Sequence, residues 1–106
     1  MANTFKNYSG EATTSGAQVY TVASGTTSIL MGGNLANKTG TSVDVSVQIG
    51  SGAASDPYII KDAPVPSGSA LGFIDGKIIV EENQIVTVTA GTNSAVDVIL
   101  SVLEQS

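Results

Sequence analysis

The stretch that decides the fold is Val43-Asp44-Val45-Ser46-Val47-Gln48-Ile49, in which apolar and polar residues alternate without a break. Successive side chains of a β-strand point to opposite faces, so this stretch has one buried face and one solvated face. The same period of two returns in residues 84–90 and 96–103. Turn signals separate such runs roughly every 8–12 residues, which is typical of a β-sandwich or barrel.

Shorter runs of β-branched and aromatic residues predict the remaining strands, at residues 18–22, 28–35, 57–61, 71–74 and 77–80. The pair Asp75-Gly76 separates the last two runs, and such a pair favours a tight hairpin turn. The sequence therefore predicts an all-β fold, a single-domain antiparallel β-sandwich of about eight strands, and this count also allows a jelly roll.

Three segments between or inside these runs have special compositions. The pair Gly32-Gly33 inside a predicted strand indicates a bulge or a close backbone approach. Residues 63–68 contain two prolines, so we expect an extended crossover between sheets rather than a central strand. Residues 50–56 are small and predict an exposed loop. Residues 1–17 are polar and predict a flexible N-terminal arm, which leaves residues 18–106 as the β-sandwich domain.

The composition argues against most kinds of chemistry. The 106 residues include no His, no Cys, no Trp and no Arg, and only 12% are charged. The net charge is −5, and the four lysines are scattered singly, so we expect no nucleic-acid partner and no electrostatic membrane anchor. The first residues lack the apolar core of a secretory signal, and no apolar run approaches the ~20 residues of a membrane span.

No catalytic, cofactor-binding or metal-ligating residue is predicted. Glu81 and Glu82 are adjacent carboxylates, but neighbours on a strand point to opposite faces and cannot act as an acid–base pair. The acids at predicted loops lack the dense spacing of a calcium loop, and without His the usual nucleophilic triad is excluded. We therefore expect a protein that is not an enzyme and that needs no cofactor.

Four apolar residues are candidates for contact with a partner chain. In the C-terminal strand, Ile99 and Leu103 fall on the face opposite to its main apolar face, which suggests that a neighbouring chain covers them. Phe5 and Tyr8 are the large apolar side chains of the predicted arm. They either order the arm against a partner, for example as an added strand, or cap the core of their own domain.

Several segments resemble small virion structural proteins of tailed bacteriophages that infect marine bacteria and cyanobacteria. The resemblance lies in Met1-Ala2-Asn3-Thr4-Phe5-Lys6 and in residues 27–37, 61–71 and 101–104. It implies a capsid decoration (cement) protein, or a tail or neck component, present in many copies on a virion that is assembled in the host cytoplasm. Its implied partners are phage capsid or tail proteins and further copies of the chain, with a trimer favoured at a three-fold lattice position.

A second interpretation is a tail, neck or fibre-associated module that binds host-surface carbohydrate or another tail protein. The loops at residues 34–41 and 50–56 would then carry the binding site. Aromatic side chains commonly stack on sugars, yet the chain has no Trp and only three Tyr, which disfavours this interpretation.

Overall fold

A computed structural model describes residues 3–74 and 76–106, which fold into two antiparallel β-sheets packed face to face. In chain order the strands of the described residues are β1 (Asn3–Glu11), β2 (Ala17–Thr21), β3 (Thr27–Asn37), β4 (Val43–Gly50), β5 (Tyr58–Val65), β6 (Ala70–Gly72), β7 (Ile78–Val80), β8 (Ile85–Ala90) and β9 (Val96–Gln105). The predicted fold class, an antiparallel β-sandwich, is confirmed.

The strand order follows a jelly-roll path. The five-stranded sheet runs β1-β9-β3, with β6 and β7 both on the far edge of β3, and the four-stranded sheet runs β2-β8-β4-β5. Counting β6 and β7 as one interrupted strand gives eight strands in two four-stranded sheets, and every chain connection except β4–β5 crosses from one sheet to the other, as in a jelly roll. The order places β1 at one edge of the five-stranded sheet and β5 at one edge of the other.

The core lies between the two sheets and is built mainly from valine. The alternation that predicts β4 holds, because Val43, Val45 and Val47 are buried while Asp44 is exposed. Strands β8 and β9 contribute their buried faces in the same way. Each such side chain contributes about 1.5–3 kcal/mol when it is fully buried, and this burial holds the sheets together.

The predicted hairpin at Asp75-Gly76 is wrong. In the described part of the chain β6 and β7 pair with β3, where Leu71 lies opposite Leu35 and Ile79 lies opposite Ile29. The two runs therefore lie end to end beside β3 instead of pairing with each other. Asp75 itself falls outside the described residues. The 11-residue strand β3 is long enough to hold both runs.

The glycine pair in β3 explains the interruption between β6 and β7. The register of β3 against β9 shifts between Leu30 and Gly32, which confirms the predicted irregularity. Phe73 is buried, and its ring lies against Gly33 so closely that a Cβ at this glycine would overlap it. The Phe73 backbone N–H also donates to the Gly33 carbonyl at 3.1 Å. The close backbone approach is thus confirmed as well.

The proline-containing segment is placed as predicted, away from the centre of a sheet. Pro64 lies in β5, an edge strand of the four-stranded sheet. The chain then crosses to β6 of the five-stranded sheet through a turn in which the Ser69 N–H donates to the Pro66 carbonyl at 3.2 Å. An edge position tolerates proline because that side of the strand has no ladder bonds to lose.

Strand β1 is absent from the sequence prediction and lies inside the segment assigned to the arm. It pairs with β9 along its whole length, from Asn3 opposite Gln105 to Glu11 opposite Asp97. The β-sandwich therefore begins within residues 1–17 and not at residue 18. The prediction missed β1 because an edge strand exposed on most of its surface needs no alternation of apolar and polar residues.

Candidate interaction surface

The outward surface of the five-stranded sheet, here called the outer face, carries a row of four large apolar side chains. Phe5 of β1 lies opposite Leu103 of β9, and Leu103 also lies opposite Ile29 of β3. On the other side of β3, Ile29 lies opposite Ile79 of β7. Residues directly opposite in neighbouring strands have side chains on the same face, so the four form a continuous apolar row across the sheet.

The ends of the apolar row are the most exposed. Phe5 is 73% exposed and Ile79 is 63% exposed, while Leu103 and Ile29 in the middle strands are partly covered by their neighbours. Met31 (37% exposed) adjoins the row on the same face, while Ile99 (48% exposed) lies four residues along β9 from Leu103, towards Glu11 and Asp97. Together the exposed side chains leave roughly 400 Å² in water, at about 200 Å² for one fully exposed large side chain.

One group of charged residues on the outer face lies at the end remote from the apolar row. There the Lys38 Nζ forms ion pairs with Glu11 and, at 2.9 Å, with Asp97 Oδ1. The hydrogen bonds to Glu11 and Asp97 raise the pKa of Lys38. At the β7 end of the row, the exposed Glu81 follows Ile79 by two residues, and both line the same groove.

The outward surface of the four-stranded sheet has the opposite character. Its central strands carry polar side chains on this surface, of which Asp44 is exposed and Ser46 and Thr89 are partly exposed. The Thr87 hydroxyl on the same surface is buried. This surface is therefore polar along its central strands, whereas an apolar row crosses the outward surface of the other sheet.

Tyr8 points to the inside of the sandwich and not to the outer face. Its ring stacks on that of Tyr20, with ring centroids 4.2 Å apart. Both hydroxyls donate to Glu104 Oε2, from Tyr8 at 2.8 Å and from Tyr20 at 2.6 Å, and Lys6 Nζ lies 3.4 Å from Oε1. We call these four side chains the Glu104 cluster; it joins β1, β2 and β9.

The pKa values of the Glu104 cluster follow from this geometry. The hydrogen bond from Tyr20 is the main cause that lowers the pKa of Glu104, and the bond from Tyr8 and the charge of Lys6 add to it. Together they outweigh partial burial, which would raise this pKa. Burial, followed by the bond to the carboxylate, raises the pKa of Tyr20 and of Tyr8. The cluster therefore holds an ionised carboxylate between two neutral tyrosines, an arrangement that fastens the edge strand β1 to both sheets.

Of the four predicted contact residues, Phe5 and Leu103 lie opposite each other on the outer face, Ile99 lies on the same face nearer to Glu11 and Asp97, and Tyr8 packs inside the sandwich. Sequence reasoning missed Ile29, Ile79 and Met31. The apolar run at residues 28–35 contains two of them, but only the strand register shows that they adjoin Leu103.

The predicted loop at residues 50–56 is built around a buried carboxylate. Asp56 Oδ2 accepts hydrogen bonds from the backbone N–H groups of Gly52 at 2.8 Å and Ala53 at 3.0 Å. Near it, a groove of about 520 Å³ opens between the edges formed by β5 and β7, lined mainly by Ile49, Tyr58, Ile59, Ile78 and Ile79.

Acidic side chains are dispersed on this scaffold. Glu82 Oε2 accepts from the Gly25 N–H at 2.8 Å, and its neighbour Glu81 makes its contact through the backbone, to the Gln84 side chain. Within residues 3–74 and 76–106, no three acidic side chains converge as the ligands of a metal ion would. The same residues contain no helix that is long and apolar enough to cross a membrane.

Comparison with known proteins supports the fold. No protein-family model and no curated protein matches the chain. A solved structure of Bacillus endospore appendages, described as a novel family of disulfide-linked pili, superposes with a TM-score of 0.56 at 19% identity, covering 97% of this chain and 84% of that one. At this identity the likeness concerns the fold alone. This chain has no Cys, so it cannot form the disulfides that the appendages' description mentions.

A second solved structure, Arthrobacter globiformis T6 isomalto-dextranase complexed with panose, aligns with 97% of this chain but only 16% of its own. Its TM-score is 0.30 and its identity 14%, so it carries no argument about this protein.

Proposed function

We propose that this chain is a non-enzymatic structural subunit that works in many copies and packs its outer face against a neighbouring protein. The observation that carries the proposal is the apolar row, which crosses the sheet from Phe5 to Ile79. Apolar patches of several hundred Å² on a soluble protein commonly mark contact sites.

The size of the patch suits one contact of a repeated assembly. Covering roughly 400 Å² of apolar surface contributes about 10 kcal/mol at 25 cal/mol per Å². Association costs ~4–15 kcal/mol, and the ordering of side chains and the desolvation of polar groups are subtracted as well, so the apolar row supports association as one contact among many. Glu81 lies beside Ile79 in the groove at the edge of the row, so a partner must leave this carboxylate in water or pair it.

The specific form that we propose is a capsid decoration protein of a tailed bacteriophage, located on the virion. This follows from the resemblance of residues 27–37 and 61–71 to phage virion structural proteins. A decoration protein is held by many repeated contacts over the capsid lattice. A small sandwich with an apolar outer face can provide one such contact per copy.

A filament subunit is the second candidate, and the fold likeness to the endospore appendages favours it. In this case the neighbouring protein is a further copy of the same chain. The unpaired edges of β1 and β5 would remain available for additional contacts along the filament.

Cosedimentation with purified, expanded phage capsids tests the decoration proposal. We expect saturable binding at the stoichiometry of the lattice, and loss of binding in the double variant F5S/I79T. The matched control is Thr89→Ala, which shortens a side chain on the outward surface of the four-stranded sheet. Electron microscopy of the concentrated protein tests the filament candidate. Absence of both capsid binding and filaments would overturn the proposed function.

A further inference from the structure

We infer that β1 pairs edge to edge with β1 of a second copy of this chain, so that the five-stranded sheets of two copies join into one continuous sheet. This inference goes beyond the proposed function, because strands that pair in the plane of a sheet leave its outer face free. Three features of β1 lead to it: its unprotected edge, its charges and the register that two copies of it can adopt.

The free edge of β1 is long and regular. The strand pairs with β9 over nine residues, Asn3–Glu11, without a register shift, and it contains no proline. In the described part of the chain, residues 3–74 and 76–106, β9 is its only strand partner. Every second residue of β1 therefore directs an N–H and a C=O away from the sheet. A long, flat edge of this kind is a template for pairing with another strand.

The other described sheet edges are poor templates for strand pairing. Strand β5 contains Pro64, has a positive φ of 49° at Asp62 and shifts register twice against β4. Strand β2 has five residues and a register shift against β8, and β6 and β7 have three residues each. Short edge strands, prolines and bulges are the devices by which proteins block edge pairing. Because β1 lacks these three devices, strand addition is directed to it.

The charges along β1 allow a second copy to approach. The net charge of the chain is −5, so two copies repel each other wherever their unpaired acids meet. Strand β1 contains one cation and one anion, and both are already paired. Lys6 Nζ lies 3.4 Å from Glu104 Oε1, and Glu11 pairs with Lys38. This edge of an acidic molecule is therefore close to neutral and can meet an identical edge.

The sequence of β1 fits itself in an antiparallel, two-fold pair, which requires an edge that is complementary to itself. With Asn7 on the two-fold axis, all nine residues lie opposite a residue of the second copy, and about eight to ten backbone hydrogen bonds form. Phe5 then lies opposite Ser9 of the second copy, and Lys6 lies opposite its Tyr8. No charged side chain lies directly opposite one of the same sign. Phe5, 73% exposed in one copy, becomes flanked by strands on both sides.

The orientation of this pair agrees with the proposed function. Residues directly opposite in neighbouring strands have side chains on the same face, so the two-fold axis is perpendicular to the joined sheet. Both outer faces therefore point to the same side, and both apolar rows remain available to a neighbouring protein. One pair can make two identical contacts with a repeated surface, which strengthens binding without any new kind of contact.

Sedimentation velocity over a concentration series measures the pairing, and we expect a reversible dimer for the wild-type chain. Asn7 is exposed, so Asn7→Lys puts two like charges opposite each other on the axis and should raise the dissociation constant about fivefold to tenfold. Asn7→Asp should act in the same way, whereas an equimolar mixture of the two variants should dimerise at least as well as wild type. The control Asn34→Lys adds the same charge at an exposed position of β3 and should leave the constant nearly unchanged.

Single-cysteine variants identify the register. The chain has no native Cys, so Asn7→Cys introduces one thiol per copy on the axis. Opposite Cβ atoms of neighbouring strands lie about 4.5–5.5 Å apart, and mild oxidation should link this variant into dimers. The control Ser9→Cys lies on the same strand and face. In this register its two thiols are about four residues, or ~13 Å, apart along the strands, so it should stay monomeric on a non-reducing gel.

The outcomes separate this inference from the proposed function. A wild-type monomer or trimer at every concentration overturns the inference. A dimer that Asn7→Lys does not weaken, or that Asn7→Cys fails to crosslink, overturns it as well. In each case capsid binding or filament formation would leave the proposed function standing. A crosslinked dimer that neither binds capsids nor forms filaments would confirm the pair and overturn the proposed function.

Discussion

The Glu104 cluster makes a sharp prediction about stability, through the substitution Tyr20→Phe. Tyr20 is 3% exposed, and its hydroxyl lies 2.6 Å from Glu104 Oε2. The substitution removes one hydrogen bond to a charged group, which is worth about 1.5–3 kcal/mol. Because Glu104 keeps the bond from Tyr8 and the ion pair with Lys6, we expect the lower part of this range, about 1.5–2 kcal/mol off the free energy of unfolding.

Urea denaturation followed by circular dichroism measures this loss, and Tyr58→Phe is the matched control on the protein surface.

The pH dependence of stability provides a second test. Since the pKa of Glu104 is lowered in the folded protein, the stability that its ionised form contributes is present above the ordinary Glu pKa. It is lost as the pH falls through the lowered folded value. The difference between wild type and Tyr20→Phe should therefore shrink in acid. Equal stability of the Tyr20→Phe and Tyr58→Phe variants at neutral pH would refute this account of the cluster.

Two further substitutions test local features of the fold. Gly33→Ala should destabilise the protein by about 1–3 kcal/mol because the new Cβ overlaps the Phe73 ring. The control Gly40→Ala has open space around its Cβ and should be nearly neutral. Equal melting temperatures of the two variants would contradict the close packing. Asp56→Ala should lower the free energy of unfolding by about 1–2 kcal/mol, because two backbone N–H groups lose their acceptor. The same change should speed proteolytic cleavage in the loop 50–56. Unchanged cleavage rates would show that the carboxylate does not order the loop.

The fold class could be predicted because strand alternation is a local signal. The alternation in residues 43–47 and 96–102 predicts which side chains are buried, and the structure buries them. The alternation fails at Gln48, which is buried because its Nε2 donates to the Ala54 and Asp56 carbonyls of the following loop. Strand β1 could not be found in this way. It lies at an edge, and its position depends on pairing with β9 and on the Glu104 cluster, neither of which leaves a periodic signal.

The error at Asp75-Gly76 has a related cause. A turn signal describes local backbone preference, whereas the partner of each flanking run is chosen by long-range packing. Here β6 and β7 both pair with β3. The packing of Phe73 against Gly33 interrupts the pairing with β3 between these two strands.

The candidate site could be predicted only in part for the same reason. Ile99 and Leu103 stand out in the sequence as apolar residues on the wrong face of a strand that is otherwise regular. Ile29 and Ile79 join them only through the register of β3 against its neighbours. For Tyr8 the sequence leaves two roles open, contact with a partner and capping of the core of its own domain, because the polar sequence of β1 does not show which of its faces turns inward. The structure shows the second role, since Tyr8 packs against the core and stacks on Tyr20.

Hydroxyl-radical labelling of the free and the assembled protein tests the central claim most directly, because it shows which surface the neighbouring protein covers. The reactive side chains are Phe5 and Met31 on the outer face, with the exposed Pro66 in the turn between β5 and β6 as the internal control. We predict that labelling of Phe5 and Met31, measured by mass spectrometry, falls severalfold on assembly while that of Pro66 stays constant. Unchanged labelling of Phe5 and Met31 on assembly would contradict the account.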